Sequence, residues 1–288
     1  MSKQIVKYHN DFNKLAINEL GVLEQNILFT ILHKLKEQNE QRFKYYSKDI
    51  LAMVDKNLTL QELTKIVKSV FLKVFAVDYT LLMPPEHPEY QEGYNTYLKV
   101  WLFEELRYIE DDITKDFVAV ELRISKSFQY LLNNLFGNFT SFDLIEFKEL
   151  KDKYSKALYR LLKQVKIKGV LEIEWEEFKR LLSIPNSYEV SQIDRQIIKS
   201  AIKRLTTSGN LFQQSFKNLT FKKTYKAIDR DERLKKERTK RGGRQIDKII
   251  FTFTPEKMPE KNDTAILHNA KAKLESKGKR VTMKITEK

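Results

Sequence analysis

From Val190 to Thr206, a helical wheel of about 100° per residue puts Ile193, Ile197, Ile198, Ala201, Ile202 and Leu205 on one side. The opposite side collects Gln192, Arg195, Gln196, Lys199, Ser200 and Lys203. An arginine can pair bidentately with guanine and a glutamine with adenine, and a single helix fits the major groove, so this face carries base-reading chemistry. Asp194 falls among the apolar positions, where its repulsion of phosphate is tolerable only if it caps the helix or pairs with a neighbour.

Three further sets of residues carry related chemistry. From Leu150 to Gln164, Lys153, Lys156, Arg160 and Lys163 form a basic stripe opposite Tyr154, Ala157, Leu158 and Leu161, suited to phosphate contacts that position a protein without reading sequence. Near Thr59 to Val77, Gln61, Lys65, Lys68 and Ser69 point away from Leu63, Ile66, Val67, Val70, Phe71 and Val74. Finally, Lys222, Lys223 and Lys226, followed by RLKKERTKRGGR from Arg233 to Arg244, would make a long basic loop for phosphate or minor-groove contact.

Charge supports this emphasis. The 288 residues carry a formal net charge of +14, and residues 217–288 alone hold 22 Lys and Arg against 10 Asp and Glu. A concentrated excess of this kind is an electrostatic footprint for a polyanion.

Enzymatic motifs are missing. Cysteine is absent, which removes disulfides, thiolate zinc sites and cysteine nucleophiles and fits a reducing cytoplasm. His9, His33, His87 and His268 are too scattered for an H-x-x-x-H metal pair or a His-hydrophobe-His nuclease motif, and no G-x-x-x-x-G-K-[ST] loop occurs. The acidic groups Glu104-Glu105, Asp111-Asp112 and Glu174, Glu176, Glu177 read as solvated charge, and Phe29, Phe71, Tyr154, Phe178 and Phe251 sit at core spacing. The expectation is a non-enzyme with neither metal nor cofactor. No apolar run is long enough to span a membrane and no signal-peptide core is found, so a cytoplasmic protein without membrane contact is expected.

The elements that must position these residues recur in one order. Periodicity predicts a helix over Leu20–Leu35, a short strand at Phe43–Tyr46, a brief helix from Ser47 to Val54, a longer helix over Thr59–Val77, and strands over Tyr97–Tyr108 and Val118–Ile124. The order returns after about 125 residues. A helix over Phe147–Lys166 leads to a strand at Val170–Glu174, a short helix over Glu176–Leu182, a turn at Ser183–Ser187 and the helix from Val190 to Thr206. Gly209-Asn210 stops that helix, and strands near Leu211–Tyr225 and Ile246–Thr254 follow. Three helices, the last two joined by a turn and followed by a hairpin, lay out a winged helix-turn-helix. The fold class is helix-rich α+β with two such domains in tandem, over residues 1–136 and 137–255, joined near 134–142. A basic tail, expected to be mobile, follows over 256–288, with a helix predicted from Thr264 to Glu275.

Several stretches resemble plasmid replication initiators of the Rep3, or RepB-like, family. The most specific is LKDKYSKALYRLLKQ (Leu150–Gln164), continued by EEFKRLLSIPNSYEVSQIDRQIIKSAIKRL through the second-domain reading helix. NKLAINELGVLEQNILFTIL and KDILAMVDKNLTLQELTKIVKSV are similar to the first domain. The resemblance implies a double-stranded-DNA-binding initiator that, as a monomer, occupies direct repeats (iterons) at an origin. It also implies help in melting AT-rich DNA and recruitment of the host replication initiator and replicative helicase, while a dimer represses its own gene at an inverted repeat. Carried over by position, Arg195, Gln196, Lys199 and Lys203 touch bases or phosphates, the wing lysines touch phosphates, and the first domain adds DNA contacts and the dimer surface. The alternative is a winged-helix transcription regulator that stays dimeric on DNA. A nicking enzyme would need a tyrosine or metal cluster, and an RNA binder suits a base-reading helix poorly because the RNA major groove is deep and narrow.

Overall fold

The computed structural model describes residues 4–15, 17–35, 42–53, 58–75, 78–82, 91–95, 97–101, 103–126, 132, 138–207, 215–226 and 245–256. The first unit builds on α1 (Val22–Leu35), β2 (Arg42–Tyr46), α2 (Ser47–Met53) and α3 (Leu60–Phe75), preceded by β1 (Ile5–His9). Local chemistry sets the helix starts. Glu24 accepts from Gly21 N–H at 2.6 Å, and Thr59 and Glu62 cap reciprocally, Glu62 Oε2 accepting from Thr59 N–H at 2.9 Å and Thr59 Oγ1 from Glu62 N–H at 3.3 Å. The strands β5 (Phe103–Glu110) and β6 (Phe117–Ile124) close on β2 in the order β2-β6-β5, all antiparallel. Phe43 opposite Leu122 and Tyr45 opposite Val120 point into the core.

The run read as one strand over Tyr97–Tyr108 is two strands in different sheets. Tyr97–Trp101 is β4, which pairs with β3 (Asp78–Leu82) to form a separate hairpin, and only β5 joins the wing sheet.

β1 was not foreseen either. It pairs with β7 (Phe139–Asp143), inside the stretch read as a junction, with Val6 opposite Phe142 and Tyr8 opposite Thr140. The helix expected over Phe147–Lys166 is also two, α4 (Leu144–Glu149) and α5 (Lys153–Gln164). Asp143 caps the first through Ile145 N–H and Asp152 the second through Ser155 N–H, and two such caps nine residues apart favour a break.

The second unit follows the predicted order. After α5 come β8 (Val170–Glu174) and α6 (Trp175–Leu181). The consecutive segments Val190–Gln192, Ile193–Ile198 and Lys199–Thr206 then form one helix, α7. β9 (Thr220–Tyr225) and β10 (Ile246–Thr252) complete an antiparallel sheet of order β8-β10-β9. One core runs through both units. Tyr8, Phe12, Phe29, Phe142, Phe147, Tyr159, Phe216 and Phe253 form an unbroken chain of ring contacts from β1 through α5 to the end of β10.

Candidate nucleic-acid interface

α7 buries Ile193, Ile197, Ile198, Ala201 and Leu205, and exposes Ser191, Arg195, Gln196, Lys199, Lys203 and Arg204. Four of the five α7 residues assigned to DNA therefore share an accessible face. Gln192 does not belong with them as a free reader, because its Oε1 accepts from Glu189 N–H at 2.8 Å and caps the helix. The middle of α7 is a π-helical turn, with Lys199 N–H donating to the Asp194 carbonyl five residues back. Ser191, one turn before Arg195, is exposed on the same side, as its spacing of four residues requires.

Beside α7 stands the root of the wing. Lys222 and Lys226 are exposed, and Lys226 N–H donates to the Gln245 carbonyl at 2.9 Å, closing the base of the loop. The basic run Arg233–Arg244 lies outside the described residues, as do Gly209-Asn210 and the segment Thr264–Glu275. Lys223, expected at phosphate, is turned inward instead. Its side chain is 7% exposed, pairs with the Asp194 carboxylate and sits 4.9 Å from the Trp175 ring centre. Alternation along β9 explains this, since neighbouring strand residues face opposite sides and only one of Lys222 and Lys223 can face solvent. It also gives Asp194 the partner it required.

The basic stripe expected on α5 is likewise corrected. Only Lys153, in the first turn and partly exposed, remains accessible. Lys156 and Arg160 are enclosed, and Lys163 nearly so. The cause is packing on a second face, because the turns at Asn10–Lys14 and Ile17–Glu19 lie against α5 while α7 covers its other side. Lys156 Nζ donates to Asn26 Oδ1 at 2.8 Å and to the Phe147 carbonyl at 2.6 Å, and lies over the Phe147 ring. Burial pulls its pKa down to about 7. Arg160 reaches Asn13 Oδ1 at 3.4 Å and stacks against Phe29, and burial lowers its pKa too. Lys156 thus ties α5 to α1 and α4, and Arg160 ties it to the turn after β1.

The first unit presents a different surface. Gln61 and Lys65 of α3 are exposed, but Lys68 pairs with Glu110 at 2.8 Å, and Ser69 donates to Glu24, which also pairs with Lys73 at 3.0 Å. Its hairpin turn is short and acidic: Asp111 Oδ1 accepts from Ile113 and Thr114 N–H, and Asp112 and Asp116 lie alongside. Beside α3, a groove of about 390 Å³ is lined by Lys68, Phe71, Leu72, Leu106 and Tyr108, with Leu72 76% exposed. On the outer face of the β2-β6-β5 sheet, Arg42, Arg107 and Arg123 pair with Glu105 and Lys44 with Glu121, so these cations are engaged in ion pairs. His33 Nδ1 lies 2.7 Å from the Ile5 carbonyl and fastens α1 to β1.

Two winged-helix units, the second offering an open basic and amide-bearing helix face beside a wing, define the class. The chain belongs to the Rep3 initiator replication protein family: its first winged-helix model matches residues 5–163 and its second matches residues 174–253. The chain is 27% identical over 207 residues to "Probable replication protein rep" of Bifidobacterium longum (strain NCC 2705), a match spanning 70% of this chain and 65% of that relative. In fold it resembles a crystal structure of the Pi initiator protein in complex with iteron DNA, with a TM-score of 0.56 and 16% identity over 90% of this chain and 100% of the other. Domains 2 and 3 of RctB superpose with a TM-score of 0.44 and 13% identity, over 82% of this chain and 83% of theirs. Among the described residues no helix is long and apolar enough to cross a membrane.

Proposed function

We propose that this chain initiates plasmid replication by binding double-stranded DNA at direct repeats of an origin, reading bases with α7 and holding phosphates with the second wing. The observation that carries this is the shared exposure of Arg195, Gln196, Lys199 and Lys203 on one face of α7, next to the closed root of a basic loop. Base pairs are distinguished by hydrogen bonds in the major groove, and these are the side chains that make them. Lys222, Lys226 and Lys153 serve as phosphate contacts, with Lys65 as a weaker contribution from α3. The role is one of binding, without catalysis, metal or cofactor, in the cytoplasm.

The finer steps belong to the same reading. Occupied repeats promote melting of adjacent AT-rich DNA and recruit the host replication initiator and replicative helicase, while a dimer represses the gene at an inverted repeat. The open apolar groove at Phe71, Leu72, Leu106 and Tyr108 supports giving self-association to the first unit.

The test is a gel-shift titration against DNA flanking the protein's own gene, with unrelated competitor, at two salt concentrations. Stepwise complexes on direct repeats that survive competitor are expected. Binding that competitor abolishes, or a single dimeric complex on an inverted repeat alone, would favour a general basic binder or the regulator reading.

A further inference from the structure

Asp194 occupies a peculiar position for a residue of a DNA-reading helix. Its carbonyl accepts the π-helical bond from Lys199 N–H, and its carboxylate takes the ammonium of Lys223 from β9. The Lys223 side chain is 7% exposed and its ammonium lies 4.9 Å from the centre of the Trp175 ring at the start of α6, and Trp175 in turn stacks on Phe178 with ring centres 5.8 Å apart. Lys223 therefore ties both helices of the helix-turn-helix to the strand that leads into the wing, α7 through the ion pair and α6 through the Trp175 ring.

A π turn alters the rotation per residue, so side chains before and after it are offset from their places on a regular helix. Arg195 and Gln196 lie within that turn, while Lys199 and Lys203 follow it. What fixes the turn decides whether the four side chains reach the groove together. At the other end of α7, Arg204 pairs with Asp152 at 2.6 Å, the residue that caps α5, so α7 is gripped at both ends.

We propose that the Asp194–Lys223 pair is a positioning device for sequence reading. It locks α7 and the wing root into one body and sets the rotation at which Arg195, Gln196, Lys199 and Lys203 meet the duplex. Lys223 acts through Asp194 without touching phosphate. The proposal rests on α7 being the DNA reader.

The test compares Asp194→Asn, Lys223→Gln and the exchanged pair Asp194→Lys with Lys223→Asp. Binding is measured to a duplex carrying the repeats and to a scrambled duplex of equal length across a salt series, and α7 amide hydrogen exchange is followed without DNA. Each single variant should lower the preference for repeats by about tenfold or more, the scale of one lost base contact. Binding to scrambled duplex and the salt slope of Lys223→Gln should stay unchanged, α7 exchange should quicken, and the exchanged pair should recover part of the preference. If Asp194→Asn instead strengthens binding to both duplexes alike, Asp194 is only a repulsive charge and the proposal is overturned. A uniform loss in Lys223→Gln with a salt slope lower by about one would make Lys223 a phosphate contact and overturn it equally. If the unaltered protein shows no preference for repeats, the proposed function falls, and the lock is judged on exchange: quickened α7 amides support it, and unchanged amides overturn it.

Discussion

Lys156 shows how burial turns a residue's chemistry around. A lysine in an unfolded chain titrates near 10.4, but burial lowers the pKa of Lys156 to about 7 in the folded protein. Below about pH 7 both states are protonated, and the full cost of burying the cation is present. Between about pH 7 and 10 the unfolded chain binds more protons, so this residue makes stability rise with pH by up to about 1.4 kcal/mol per unit. Lys156→Met should flatten that rise, as read from thermal midpoints across pH 6–10, with its largest relative gain at the acid end; an unchanged slope would show that the amine is hydrated. The sequence showed the right spacing for a basic stripe on α5 but not what lies on it. A helical wheel separates apolar from polar, yet a helix packed on two sides buries part of its polar face as well. Four of the five α7 residues lie on the exposed side that the wheel predicts, because that helix has only one covered side.

At the scale of elements, helix spacing was legible wherever one apolar stripe met a cap, as in α1 and α3. The division between α4 and α5 was also written locally, in Asp143 and Asp152, but the continuous apolar spacing hid it. The pairing of β1 with β7 had no local signal, since Val6 and Phe142 are far apart in the chain and only folding sets their register. The turn after α5 depends on Gly169, whose φ of +69° suits glycine and whose added Cβ would meet the Phe253 carbonyl at 2.7 Å. Gly169→Ala should therefore cost about 1–3 kcal/mol in urea unfolding, and a cost below a few tenths would mean the turn relaxes freely. The wing makes a different prediction from the helix beside it. Replacing Lys235 and Lys236 with alanine should weaken binding to all duplexes similarly and make the salt dependence shallower, because phosphate contacts act through released counterions. Loss confined to the repeats would instead make the wing a reader.

The whole molecule divides its chemistry between its ends. The first unit has paired cations, an acidic turn and an apolar groove, whereas the second has an open basic helix face and a wing root. Net charge by segment marks the C-terminal quarter as the basic end of the chain, a property that composition shows without the fold. The mechanical unity of the two units was not legible, because it rests on aromatic contacts between distant segments. The ring chain from Tyr8 through Phe142, Phe147 and Tyr159 to Phe253 implies that both units unfold together. Phe147→Ala should cost about 3–5 kcal/mol and lower one shared transition, followed by calorimetry and by Trp175 emission; two separated transitions would show independent units. The central claim, that the outer face of α7 reads bases, is tested most directly by measuring the affinity of the unaltered protein and of Arg195→Ala for the repeat with each base pair substituted in turn. The account predicts that Arg195→Ala loses about 1–3 kcal/mol on the native repeat and becomes indifferent to one base pair while keeping its preferences elsewhere. Equal weakening at every position, with all preferences retained, would contradict it.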